Sequence, residues 1–340
     1  MLPQRPLLLS HSPALAGAER WLLDVAEIMR EAGAKPTLVV PAQGLLSRQC
    51  TVRGLPWVQL SLPWWAATSR RGVLKDWGSS PKQVVAAGHL VAYAARANSD
   101  CILTNTSVTG GGATVAYTLR IPHIWAIHEL REHYRFSYGQ SLLRTALGAA
   151  DHVILNSQAT ESSWRPMLGA ARRSVLYQPV SPGESRWTQP PSDAPIRLLT
   201  LTSIDPVKEI HTSIDVLSEI HALGIDAELR LVGPIASGYA PQLLERAGRW
   251  GLSHRVQIVG PAKDVSQELA SAHILLHPSP QESYGRVLME AMLVGVPVIA
   301  RRAGAAAEII GEAGKLFDAP KEAADFAREI LSNRDISREL

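Results

Sequence analysis

His277-Pro-Ser-Pro-Gln-Glu282-Ser-Tyr-Gly285-Arg-Val-Leu-Met-Glu290-Ala-Met-Leu-Val-Gly-Val-Pro-Val-Ile-Ala300 reads as a loop, a helix and a return strand. Immediately before it, Ile274-Leu-Leu276 is a short apolar run stopped by Pro278 and Pro280, so a buried strand ends there and delivers a loop. Beyond Gly285, the residues Val287, Leu288, Ala291, Met292 and Leu293 recur at helical spacing. Glu282 falls in the loop and Glu290 within the helix. The amides from Tyr284 to Val287 lie where a helix start leaves N–H donors unpaired and carries partial positive charge, an arrangement suited to phosphate. Arg286 in the first turn opposes the macrodipole unless an anion is close, which favours a ligand. The plainer alternative is a surface arginine with two solvated glutamates.

The run Pro280-Gln-Glu282-Ser-Tyr-Gly285-Arg-Val-Leu-Met-Glu290-Ala-Met, followed by Gly295-Val-Pro297-Val and Glu308-Ile-Ile, resembles the signature of the retaining glycosyltransferases of family 4. The resemblance implies a nucleotide-sugar site served by two glutamates separated by seven residues. Glu282 would face the sugar and Glu290 the ribose hydroxyls, with Ser283, Tyr284, Gly285, Arg286 and Val287 around the diphosphate at the helix start. The spacing of two glutamates carries little weight alone. The Pro-x-x-Glu flank, the aromatic-Gly pair and the Gly-x-Pro-Val strand make the pattern specific.

A chain of 340 residues exceeds what one hydrophobic core usually supports, so two domains of roughly 150 residues each are expected. The 46% hydrophobic and 19% charged content is that of a globular protein and not of a disordered one. A net charge of +3, with Lys/Arg runs no longer than pairs, argues against nucleic-acid binding. Cys50 and Cys101 fit neither a disulfide framework nor zinc spacing, which suggests a reducing compartment. No signal peptide or membrane-spanning run is evident, so a cytoplasmic protein is expected, with peripheral contact at the inner membrane face compatible.

The first half alternates strands and helices. Leu7-Leu-Leu9 opens as a strand, a helix follows with Trp21, Leu22, Val25, Ile28, Met29 and Ala32 on its apolar face, and Thr37-Leu-Val-Val40 returns. Only Gly17 occupies the first turn, so a dinucleotide fingerprint is missing. The resemblance places Gly17 against the donor phosphates. Residues 54–80 read as an irregular insert in which Trp57, Trp64, Trp65 and Trp77 accompany Arg70, Arg71 and Lys75. It either packs its own tryptophans or meets lipid or acceptor. Gly110-Gly-Gly112 lacks the Lys-Ser/Thr of a phosphate loop and reads as a flexible connection. The strand Ile124-Trp-Ala-Ile127 delivers His128 to the carboxyl edge of the sheet, where open α/β sheets place ligands. The resemblance sets a histidine here against the donor sugar, which ranks His128 above His11, His123 and His133.

Between Tyr177 and Pro195, five prolines without apolar periodicity mark a linker. The domains expected are residues 1–177, acceptor-side and Rossmann-like, a Pro-rich linker 178–195, and residues 196–340, Rossmann-like and nucleotide-sugar-binding. Two doubly wound α/β domains facing across a cleft is the glycosyltransferase B-type architecture that the resemblance implies. In the second domain, strand ends place Ser203, Gly233 and Gly260 toward the donor. Family members usually clamp the diphosphate with Gly-Arg and then Lys-Gly; here Lys208 is in place, Thr202-Ser203 replaces Gly-Arg, and Glu209 follows the lysine. Arg286 is expected to substitute in part for the missing cation. The chain ends at Leu340, about where relatives continue into helices that cross back, so that tail reads as absent or shortened.

Glycosyl transfer requires stabilising the departing diphosphate and the positive charge that develops on the sugar. The helix start, Lys208 and Gly17 answer the first need. Glu282 would orient the sugar hydroxyls and His128 would sit over the donor. The resemblance implies front-face attack without a covalent nucleophile, and the lack of an Asp-x-Asp pair agrees with metal-independent catalysis and no cofactor. The partners expected are a UDP- or GDP-linked sugar and a saccharide or lipid-linked acceptor, as in bacterial polysaccharide or glycolipid synthesis. A nucleotide-sugar epimerase of the same shape and a weakly active binding subunit are the alternatives.

Overall fold

The computed structural model describes residues 2–67, 80–133, 135–136, 139–180, 185–187 and 195–336. Two compact units emerge, Met1–Pro179 and Val180–Leu340. Arg70, Arg71, Lys75, Trp77, Pro182, Pro190 and Pro191, which the sequence assigns to the insert and the linker, lie outside the described residues.

The strands of the first unit are β1 Pro6–Leu9, β2 Thr37–Val40, β3 Trp57–Gln59, β4 Ala66–Ala67, β5 Cys101–Thr104, β6 His123–Ile127, β7 Arg135–Phe136, β8 His152–Leu155 and β9 Arg173–Val175. Seven of them form a parallel sheet in the order β3-β2-β1-β5-β6-β8-β9, while β4 and β7 pair antiparallel. Side chains of β1 alternate between two cores: Leu8 joins Trp21, Leu22 and Leu38 on one face, and Leu7 and Leu9 join Ile102 and Val115 on the other. Both faces are covered, so the strands read as continuous apolar runs. In the helix Gly17–Glu31 the buried apolar residues are Trp21, Leu22, Leu23 and Ala26, while Ile28 is 59% exposed. The apolar stripe is therefore rotated from the face expected.

Two expectations for this unit change. Gly110-Gly-Gly112 is no flexible connection: Gly110 caps a helix, Gly111–Leu119, and the glycines permit close contact. A Cβ on Gly112 would stand 1.9 Å from Thr104 Oγ1, and one on Gly110 2.4 Å from the Trp65 ring. The insert is also less irregular than its sequence suggests. Trp57 begins the edge strand β3, and Trp65 is 9% exposed and stacks on Trp125 with ring centres 6.0 Å apart.

The second unit has β10 Ile196–Leu201, β11 Ala227–Val232, β12 Val256–Gly260, β13 Ile274–His277, β14 Val298–Arg301 and β15 Lys315–Phe317. They form one parallel sheet in the order β12-β11-β10-β13-β14-β15. Leu198, Leu229 and Leu276 face one core, and Leu199, Val232 and Leu275 the other. Trp187, from the stretch read as linker, packs on the second of these; its amide donates to the Val294 carbonyl and its indole N–H to that of Ala272. In each sheet the strand order reverses beside the first strand, between β1 and β5 and between β10 and β13. Loops that leave such a reversal in opposite directions open a crevice at the carboxyl ends of the strands. No helix among the described residues is long and apolar enough to cross a membrane.

Candidate active site

In the second unit, the loops leaving β10 and β13 carry the site. Asp205 organises the first. Its carboxylate accepts from Ser203 Oγ at 2.6 Å and from the Lys208 amide at 3.1 Å, capping a short 3-10 turn, Pro206–Lys208. Lys208 Nζ then lies 3.4 Å from Ser279 Oγ and 3.7 Å from Glu282 Oε2. His277 ends β13, is 2% exposed, and donates from Nε2 to Glu282 Oε2 at 2.9 Å.

Glu282 is fixed from behind as well. Its carbonyl accepts from the Ala305 amide at 2.8 Å. Gly304, at φ +54°, lies so close that an added Cβ would stand 2.0 Å from that carbonyl oxygen. Burial alone would raise the Glu282 carboxyl; the His277 hydrogen bond and the Lys208 charge outweigh it and hold the pKa down at about 2. A carboxylate only 13% exposed is thus kept ionised at the mouth of a loop.

Gly285, in left-handed conformation, caps the helix Arg286–Val294. The first N–H groups, those of Arg286 and Val287, have no acceptor within the helix by its geometry. The buried Tyr284 donates from its hydroxyl to Met289 Sδ at 2.8 Å and from its amide to Glu282 Oε1 at 3.5 Å. Arg286 Nε donates to Glu290 Oε1 at 3.1 Å, while its Nη1 is buried with no hydrogen-bond partner among the described residues. The arginine expected to face a ligand therefore shares its charge with Glu290 and keeps one donor uncommitted. Ser203 and Ser283 are half-buried. Gly233 and Gly260 meet at the ends of β11 and β12, where the Gly233 amide donates to the Gly260 carbonyl at 2.8 Å. A Cβ on Gly233 would stand 1.8 Å from the Thr202 carbonyl oxygen, whereas one on Gly260 would meet nothing within 4 Å.

In the first unit, His128 follows β6 and is buried. Gln178 Nε2 donates to its Nδ1 at 2.7 Å, so Nε2 carries the proton and donates to Asn105 Oδ1 at 2.6 Å. Asn105 in turn donates to the Ala18 carbonyl at 2.9 Å. Burial lowers the His128 pKa to about 4. The ring is therefore neutral, has both nitrogens engaged, and braces the turn at Gly17. Gly17 itself begins its helix half-buried, with nothing within 4 Å of an added Cβ. His123 is bound to Thr104 Oγ1 at 2.9 Å, and His11 lies 3.8 Å from the buried Glu19.

The structure thus brings Lys208 and Glu282 together, with Arg286 and Glu290 paired on the adjoining helix. The sequence reading gave no role to His277, Ser279, Asp205, Gly304, Asn105 or Gln178. His277, Asn105 and Ser279 share a signal that was available: polar residues at, or one or two positions beyond, the end of an apolar strand.

Comparisons with known proteins bear on the family and the fold. The model for Glycosyltransferase Family 4 matches residues 15–184, and the model for glycosyl transferases group 1 matches residues 195–333. The N-acetyl-alpha-D-glucosaminyl L-malate synthase of Bacillus anthracis is 29% identical over 150 residues, 42% of this chain and 38% of that protein. D-inositol 3-phosphate glycosyltransferase 2 of Catenulispora acidiphila is 30% identical over 214 residues, 56% of this chain and 50% of that protein. The match thus spans half or less of these curated relatives. Among solved structures, Anabaena Alr3699/HepE in complex with UDP and glucose superposes with a TM-score of 0.77 at 25% identity, over 98% of this chain and 91% of that one. A glycosyltransferase from Rickettsia africae ESF-5, at 15% identity and a TM-score of 0.75, shares the fold. The fold is the two-domain Rossmann-like fold of B-type glycosyltransferases, and with one family model covering half of its length, the chain belongs to glycosyltransferase family 4.

Proposed function

We propose that the protein transfers a sugar from a nucleoside diphosphate sugar to a saccharide or lipid-linked acceptor, with retention at the anomeric carbon and without a metal. The observation that carries this reading is Glu282, an ionised carboxylate 13% exposed, held by His277 and Lys208 beside a helix start. A carboxylate so placed accepts hydrogen bonds from sugar hydroxyls, while Lys208 and the N–H groups of Arg286 and Val287 take the diphosphate. Glu290 is suited to the ribose hydroxyls, and its turn toward them would release Arg286 to the phosphates. His128 is a positioning residue: a neutral ring that fixes Asn105 and, through it, the turn whose glycine leaves room for a ligand. As the bond to the sugar breaks, these donors stabilise the leaving phosphate, which can itself accept the acceptor proton.

UDP as the nucleotide is supported by the name of the Anabaena structure. A GDP-mannose-dependent relative from Mycobacterium tuberculosis, 31% identical over 136 residues, supports GDP instead. Names of relatives that include a phosphatidylinositol N-acetylglucosaminyltransferase subunit and an O-antigen mannosyltransferase support glycolipid or polysaccharide acceptors. Calorimetry with UDP and GDP, followed by a panel of labelled nucleotide sugars, tests the reading. The expected result is binding of one diphosphate and an α-linked product from an α-linked donor by NMR. Binding of neither nucleotide, or inversion, would overturn it.

A further inference from the structure

A third ion pair crosses the same site. Arg301 ends β14, and Glu209 directly follows Lys208 in the loop that leaves β10. Between β10 and β14 runs β13. Yet Arg301 Nη1 bonds to Glu209 Oε2, so the pair passes beyond the carboxyl end of β13, where the loop through Ser279 to Glu282 begins. The neighbouring Arg302 goes elsewhere, to Asp318 and the Leu316 carbonyl.

The pairing of charges is regular. Lys208 stands by Glu282, Arg286 by Glu290 and Arg301 by Glu209. In the proposed reaction two of these carboxylates acquire hydroxyl groups to hold, which frees their cations for phosphate. Glu209 acquires nothing. Its backbone is left-handed at φ +47°, a conformation that costs a side-chain-bearing residue more than glycine. Thr202-Ser203 brings no cation to this edge, and a diphosphate needs more than one. Arg301 and Glu209 are 30% and 35% exposed, open to a ligand from solvent.

We infer that Arg301 is a diphosphate-binding residue and that Glu209 is an internal competitor for it, an anion that the phosphate displaces. The inference rests on the proposed donor site and adds to it a cation that the sequence pattern does not assign. Glu209 then sets a threshold: only a ligand with two or more negative charges exchanges with it favourably.

The test is calorimetry with inorganic pyrophosphate and with UDP on the full chain. Arg301→Ala should weaken both about tenfold, the low end for a hydrogen bond to a charged group. Arg301→Lys should recover part of the loss, because it keeps the charge without the fork. Glu209→Gln should tighten both about threefold or more. Glu209→Gly, which also relieves the backbone, should do the same without lowering the melting temperature. Unchanged affinities in all four variants would overturn the inference and leave the donor reading standing. Pyrophosphate binding with the expected pattern but no binding of UDP or GDP would support the inference and overturn that reading. Binding of neither pyrophosphate nor nucleotide would overturn both.

Discussion

At the scale of single residues, Glu282 ties stability to the proposed chemistry. Its carboxyl is held at about 2 against an ordinary 4.5, so its charge contributes stability that is fully present above pH 4.5 and lost as pH falls through 2. The shift corresponds to about 3 kcal/mol. Glu282→Gln should therefore cost the second unit up to about 3 kcal/mol at pH 7, and the gap to the parent protein should narrow as pH drops below 4.5 in urea titrations. The same change should lower kcat/KM for the donor by about 10²-fold or more, the scale of one lost electrostatic contact to the reacting group. A variant with full activity would remove Glu282 from the chemistry. Gly17 makes the complementary case. Nothing lies within 4 Å of an added Cβ there, and alanine is the better helix former by about 0.5 to 1 kcal/mol. Gly17→Ala should hold or raise the denaturation midpoint yet raise the KM for the donor several-fold. If KM stays unchanged, no ligand approaches that backbone. Both residues were singled out through the family resemblance, Glu282 by its motif and Gly17 by its match to the glycine that opens the first helix. Which groups hold Glu282 was not legible, because His277 and Gly304 act through contacts that loop closure decides. Arg286 shows the same limit. Its conflict with the macrodipole was readable, but its partner at the same helical face, Glu290 four residues on, relieves part of that conflict within the chain.

Among elements, those with long periodic patterns were readable and those fixed by close contact were not. The strand Thr37–Val40 falls where the sequence places it, and the strand expected at Ile124–Ile127 is longer only by His123. The helix Ala306–Ile310, five residues long, is too short to show a period. The helix Gly111–Leu119 opens with glycines, which argue against a helix on propensity; contact of Gly112 with the Thr104–His123 pair overrides that preference. The short turn that precedes Ala306–Ile310 matters most for the site. Gly304 and Ala305 press against the backbone of Glu282, the glycine with a left-handed φ and the alanine through its amide. Gly304→Ala would strain the turn by about 1–3 kcal/mol and push Glu282 by an ångström or so. Displacements of that size cost about 10²-fold in rate. The expected outcome is a fall in kcat/KM of at least tenfold with secondary structure intact by circular dichroism. Activity equal to the parent protein would mean that the turn does not set the position of Glu282.

For the whole molecule, the two units bury different titratable groups and should respond differently to acid. His123 and His128 in the first unit are both lowered to about 4, chiefly by burial. A histidine lowered in the folded state is protonated first in the unfolded chain, so its contribution is fully present above pH 6.5 and is lost as pH falls toward 4. The slope is about 1.4 kcal/mol per pH unit for each histidine. The buried Glu19 of the same unit is raised by burial and works in the opposite sense. In the second unit, Glu282 gives way only below pH 4.5. All but Trp187 and Trp250 of the nine tryptophans belong to the first unit, so tryptophan emission reports mainly on that unit. Urea unfolding followed by emission should show stability falling between pH 6.5 and 4.5. His123→Gln, which keeps a hydrogen-bonding group beside Thr104 but does not titrate, should remove about one proton's worth of that slope, whatever its effect at pH 7. A slope equal to that of the parent protein would mean that His123 is not held neutral by the fold, and that the polar contact beneath Gly112 is weaker than its 2.9 Å length implies.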